Sequence, residues 1–120
     1  MPDEIAYEFE YNGFRFFFRK RNYDSHAKKH SELRHPSIFP RIRKAITDPV
    51  FVYPDYLTDG QRHCCYYKEF EIGQLTRYTK VVIVKNLKNS YEIVSVFRPT
   101  NVKEVKYNIY PLDLSSLEWL

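Results

Sequence analysis

Two of the chain's four histidines stand five residues apart, with Arg34 between them: His30 and His35 in "HSELRHPSIFP", residues 30–40. An imidazole exchanges protons near neutral pH, and guanidinium groups offset the negative charge that builds on a phosphorane. Histidine beside arginine is therefore a phosphoryl-transfer pairing. Cleavage of RNA suits it well, because the substrate brings its own nucleophile, the 2′-hydroxyl. His26 and His30 also stand at i and i+4, a spacing that metal ligands use on a helix, but no HExxH pattern or second acid/His cluster supplies the remaining ligands. No metal and no cofactor is expected.

Strand alternation supplies the other candidates. Arg62, Cys64, Tyr66 and Lys68 would share one face of a strand, Arg77, Thr79, Val81 and Ile83 one face of the next, and Tyr91, Ile93, Ser95 and Phe97 one face of a third. Ser95 is the polar member of an otherwise apolar and aromatic set. Lys80 and Arg98 add cations to the second and third of these strands.

Those residues need elements to hold them. Alternating Ile5, Tyr7, Phe9 and Tyr11, then Asn12-Gly13, then Phe14, Phe16 and Phe18 predict a hairpin, because its tight turn needs two residues that accept positive φ. Tyr23, His26, Ala27, His30 and Leu33 fall on one face of a helix over 23–34, which Pro36 ends. A second short helix puts Ile38, Phe39, Ile42, Ala45 and Ile46 on one side and stops at "TDP", 47–49. Strands are predicted at 50–53, 62–70, 77–85 and 91–99, and residues 102–120 read as a further strand or a packed tail. The expected fold is α+β: an N-terminal hairpin and two helices packed on one face of a four- to five-stranded antiparallel sheet.

With 120 residues and 14.6 kDa, residues 1–120 fit a single domain with one modest core. Aromatic residues at 18% supply enough burial to fold it. No run reaches the ~20 apolar residues of a membrane helix, and "MPDEIAYEFE" lacks the basic and apolar parts of a signal peptide. A cytoplasmic protein is expected. Cys64 and Cys65 are adjacent, so they form neither an ordinary disulfide nor a zinc site by themselves. Residues 15–44 hold ten of the nineteen Lys/Arg against only Asp24 and Glu32. That basic segment points to a polyanion, most often nucleic acid.

Taken in order, "YDSHAKKHSELRHPSIFPRIRKAITDPVFVYPD", "HCCYYKEF", "RYTKVVIVK" and "YEIVSVFRP" resemble the small ribonuclease superfamily of the barnase, EndoU, colicin and RelE type, in its toxin- and phage-associated members. The likeness spans roughly residues 14–98. It implies a metal-independent endoribonuclease that cleaves through a 2′,3′-cyclic phosphate, with His30, His35, Lys68 and Ser95 as catalytic candidates. Arg34, Arg62, Arg77, Lys80 and Arg98 would bind RNA, and an acidic inhibitor, an antitoxin or immunity protein, is the implied partner. Two motifs depart from the family: its "HPE" is His35-Pro36-Ser37 here, and its "TAY" is Ser95-Val96-Phe97. A non-catalytic nucleic-acid- or protein-binding module of the same fold is therefore the alternative.

Overall fold

The structure, a computed structural model, describes residues 4–55 and 62–101. The expectation for 102–120 lies outside these residues. Along the chain run β1 (Ile5–Tyr11), β2 (Phe14–Arg19), α1 (Lys20–Lys29), a 3₁₀ turn (Ser31–Arg34), α2 (Ile38–Thr47), β3 (Phe51–Asp55), β4 (Arg62–Ile72), β5 (Leu75–Lys85) and β6 (Ser90–Phe97). Among the described residues, no helix is long and apolar enough to cross a membrane.

The class is α+β, as expected, but the sheet is larger than predicted and mixed. Six strands lie in the order β1-β2-β6-β5-β4-β3. The N-terminal hairpin does not pack on the sheet; it is part of it. Its turn is as predicted, with Asn12 at φ 53° and Gly13 at φ 82°. β2 then joins β6 in parallel, through pairs such as Phe16 with Tyr91 and Phe18 with Ile93, while every other pairing is antiparallel. A parallel pair needs a long crossover, and here the two helices and three strands between β2 and β6 provide it.

One face of the sheet carries the main core. Ile38, Ile42, Ala45 and Ile46 of α2, each 0–1% exposed, press on Val52, Cys65, Val81 and Ile83. Their i, i+4, i+7, i+8 spacing gives α2 a single apolar stripe, and Arg41, Arg43 and Lys44 fall outside it. The opposite face carries a second cluster of Phe51, Tyr66, Tyr78 and Val82, with Tyr53, Val94 and Phe97 against it.

Two bulges decide what each face presents. Val82 pairs with Ser95 but Ile83 with Ile93, which leaves Val94 as an extra residue in β6. Beyond it the alternation is inverted: Tyr91, Ile93 and Val96 belong to the helix-side core, and Val94 and Phe97 to the other cluster. The expected common face of Tyr91, Ile93, Ser95 and Phe97 is thus broken between Ile93 and Ser95. In β4, Lys68 pairs with Tyr78 and Phe70 with Arg77, so Glu69 is the extra residue.

The predicted helix over 23–34 is two pieces. α1 starts earlier, at Lys20, and ends at Lys29; His30, at φ −130° and ψ 89°, breaks it before the 3₁₀ turn. β2 stops pairing with β6 after Phe18, and α1 packs beside the part of β6 that continues without it. The His26 ring hydrogen-bonds to the Val94 backbone there.

Candidate functional site

Sheet register sets three side chains abreast. Tyr66 of β4 pairs with Lys80 of β5, and Lys80 pairs with Phe97 of β6, so Tyr66, Lys80 and Phe97 form a row across three strands. The Lys80 ammonium lies 5.9 Å from the Tyr66 ring centre and 5.6 Å from that of Phe97. Aromatic faces attract a cation without neutralising it. At the end of the row His30 meets Phe97 edge-on, with ring centres 6.0 Å apart.

His30 reaches that position because the break after α1 is pinned from both sides. Its N–H donates to the His26 carbonyl and its own carbonyl accepts the Leu33 N–H. Leu33 is buried, and its carbonyl accepts the Tyr23 hydroxyl at 2.8 Å. Arg34 folds back and donates from Nε to the Ala27 carbonyl at 3.1 Å. Arg34, expected to bind RNA, thus spends that nitrogen on holding the turn.

Arg98 follows the row and is held from two directions. Its guanidinium grips Glu69 at 2.6 and 2.9 Å, and its carbonyl accepts Arg77 Nη1 at 2.7 Å. The Thr79 hydroxyl also donates to Glu69, and Arg41 of α2 lies 3.5 Å from it. Burial pushes the Glu69 carboxyl up, but the hydrogen bonds from Arg98 and Thr79 and the charges of Arg98 and Arg41 outweigh it and hold the group below its ordinary value. Glu69 is therefore an anion that balances Arg98.

His30, Tyr66, Lys80, Phe97, Arg98 and Pro99 together line a hollow of about 410 Å³. Two of the six are cations, a third is an imidazole, and none is a carboxylate. The walls are a ring, a phenol and a proline, so an anion entering would meet Lys80 and His30 beside apolar surface. Three of the predicted site residues, His30, Lys80 and Arg98, come together here.

The others do not. His35 is exposed at the entry to α2, where its Nδ1 accepts the Ser37 N–H at 3.1 Å and lies 2.8 Å from Ser37 Oγ. Its role there is local, closing the turn between the 3₁₀ segment and α2. Lys68 is exposed and pairs with Glu71 at 3.3 Å. Ser95 lies opposite Val82, two positions before Phe97 and so about 7 Å back along the strand. Arg62 pairs with Val84, four positions and roughly 13 Å along β5 from Lys80. Arg77 supports Arg98 from behind instead of facing the hollow.

Sequence reasoning missed Phe97 and Tyr66 as walls and Glu69 as the partner of Arg98. Only the register and the two bulges reveal them.

A second hollow, of about 330 Å³, is lined by Ser37, Pro40, Arg41, Lys44, Tyr67, Glu69 and Phe70. It lies on the α2 face of the sheet, whereas Tyr66, Lys80 and Phe97 of the first hollow lie on the opposite face. Among the described residues no group of three or more His, Cys, Asp or Glu is placed to hold a metal ion. Compared with known proteins, the chain matches no family model, no curated protein and no solved structure.

Proposed function

We propose that this chain is a cytoplasmic, metal-independent endoribonuclease of toxin or effector type, related to the ribonuclease superfamily that its motifs resemble. The observation that carries the reading is the grouping of His30, Lys80, Arg98 and a tyrosine around one carboxylate-free hollow. In the reaction the 2′-hydroxyl oxygen attacks its own phosphorus, forming the P–O2′ bond as the P–O5′ bond breaks. His30 takes the hydroxyl proton, Lys80 and Arg98 offset the charge on the phosphorane oxygens, and Tyr66 returns a proton to the departing 5′ oxygen. The products are a 2′,3′-cyclic phosphate and a 5′-hydroxyl. A cognate inhibitor would present acidic side chains to the basic hollow.

Digestion of RNA in chelator tests this directly. Cleavage leaving cyclic phosphate ends is expected; intact RNA beside folded protein, or cleavage that stops when metal is withdrawn, overturns it.

One observation favours a second reading, a binding module without chemistry: of His30, His35, Lys68 and Ser95, only His30 lines the hollow. Under that reading RNA binds, His30→Ala leaves binding intact, and there is no cleavage to lose.

A further inference from the structure

The bulge in β6 shapes the first hollow, and the bulge itself needs a support. Val94, its extra residue, is in register with neither neighbour: β5 pairs Val82 with Ser95 and Ile83 with Ile93, and β2 reaches only as far as Ile93. A bulged residue stands outside the ladder, so its backbone must find another partner. Without the extra residue the alternation of β6 would run on unbroken and turn Phe97 to the α2 face, away from Lys80.

His26 supplies that partner. Its ring hydrogen-bonds to the Val94 backbone, and because the bond favours the protonated ring, the ring N–H donates and the Val94 carbonyl accepts. The same ring meets Phe97 edge-on, with centres 5.5 Å apart and planes at 89°. The His26 carbonyl accepts the His30 N–H at 2.9 Å, at the break that presents His30. One residue thus reaches the bulge, the aromatic wall and the helix end that carries the imidazole, yet it does not line the hollow.

We infer that His26 is a positioning residue of the first hollow: through Val94 and Phe97 its ring holds the row of Tyr66, Lys80 and Phe97 in line with His30. Its effect on cleavage rests on the RNA reading above, whereas its effect on geometry does not.

Substitutions of the full chain separate the ring's contacts. His26→Ala removes them all, His26→Phe keeps the edge contact without the N–H, and His26→Asn and His26→Gln each place an amide N–H near one of the two ring nitrogens. Melting curves fix a temperature at which the variants are folded. Proton NMR then reads geometry without RNA, because the Lys80 side chain lies over the Phe97 ring and the His30 ring beside it, so their ring-current shifts report where Phe97 points. Those shifts should collapse in His26→Ala and His26→Phe and return in at least one amide variant. Single-turnover cleavage should follow them, about 10²-fold slower in His26→Ala, the cost of a misplacement of about 1 Å, with both limbs of the pH–rate profile kept. Should His26→Ala fail to fold, His26→Phe against the amide variants decides. Wild-type shifts in His26→Phe, or collapsed shifts in both amide variants, would mean that the N–H positions nothing, and the inference is wrong. Loss of one limb of the profile would make His26 a proton-transfer group and overturn it as well. If the wild type cleaves no RNA while the shifts change as expected, the RNA reading falls and the positioning role of His26 stands.

Discussion

His30 and Lys80 line the same hollow, and under the proposed mechanism they have different tasks that substitution should separate. His30 is fixed by backbone hydrogen bonds on both sides and meets the Phe97 ring edge-on, which sets its ring at the end of the row. Removing a positioned proton-transfer group costs about 10²–10⁴ in rate. His30→Ala should therefore lower the single-turnover rate on a fluorogenic RNA by about that factor with little change in affinity for uncleavable RNA. Lys80 has no part in proton transfer in the scheme above; Lys80→Ala should weaken affinity first. Equal effects of both variants on both quantities would contradict the division of labour. His35 gives the contrast. Its Nδ1 serves the Ser37 N–H, so His35→Ala should cost about 1 kcal/mol of stability, the worth of one hydrogen bond, and leave cleavage unaltered. The residue types for this chemistry were legible in the sequence, yet spacing alone could not choose between His30 and His35. The choice is made by a helix break at His30 whose pins, Tyr23 and Arg34, bond to backbone carbonyls and so leave no pattern in the side chains.

At the scale of elements, what alternation and helical period could encode was legible, and what depends on long-range pairing was not. The α2 stripe, the Asn12-Gly13 turn and strands β4 to β6 follow from local pattern. The parallel pairing of β2 with β6 joins residues more than seventy positions apart, and no local signal marks it. The bulges at Val94 and Glu69 are equally silent, because an extra residue in a strand looks like ordinary sequence until its partner is known. They nonetheless build the site: the first turns Phe97 towards Lys80, and the second leaves Glu69 free to bind Thr79 and Arg98. α2 supports all of this from below. Ile42, at 0% exposure, is surrounded on every side, so Ile42→Ala should cost ~2–5 kcal/mol through the cavity it leaves. Urea unfolding would measure that loss. Since Ile42 lines neither hollow, the cleavage rate at a temperature where the variant is folded should equal that of wild type.

For the molecule as a whole, half-buried His26, buried His63 and ion-paired Glu69 tie stability to pH in two separate windows below neutrality. Burial pushes the His26 ring below its ordinary 6.5, with a hydrogen bond to the Val94 backbone opposing and the charges of His30 and Lys29 adding to it. Burial alone depresses His63, which is 3% exposed and whose Nε2 has no hydrogen-bond partner among the described residues. Both rings are neutral in the folded protein, while in the unfolded chain they take up protons around 6.5. The unfolded state thus binds more protons below that pH, and stability present above about 6.5 is lost as pH falls through the depressed folded values. Glu69 acts lower down: its folded value lies below the ordinary 4.5, so its contribution persists above 4.5 and is lost as pH drops further. Melting temperature followed from pH 8 to pH 3 should stay level to about 6.5, then fall in two steps. Replacing His26 and His63 together by Gln should remove the upper step and keep the lower. Glu69→Gln should do the reverse, and because it leaves Arg98 without its balancing anion, it should also lower the melting temperature at neutral pH. A melting temperature that is level down to pH 5 in the wild type would mean that the two rings are not held neutral, and with them would go the packing of α1 against the free end of β6 that holds His30 over the sheet.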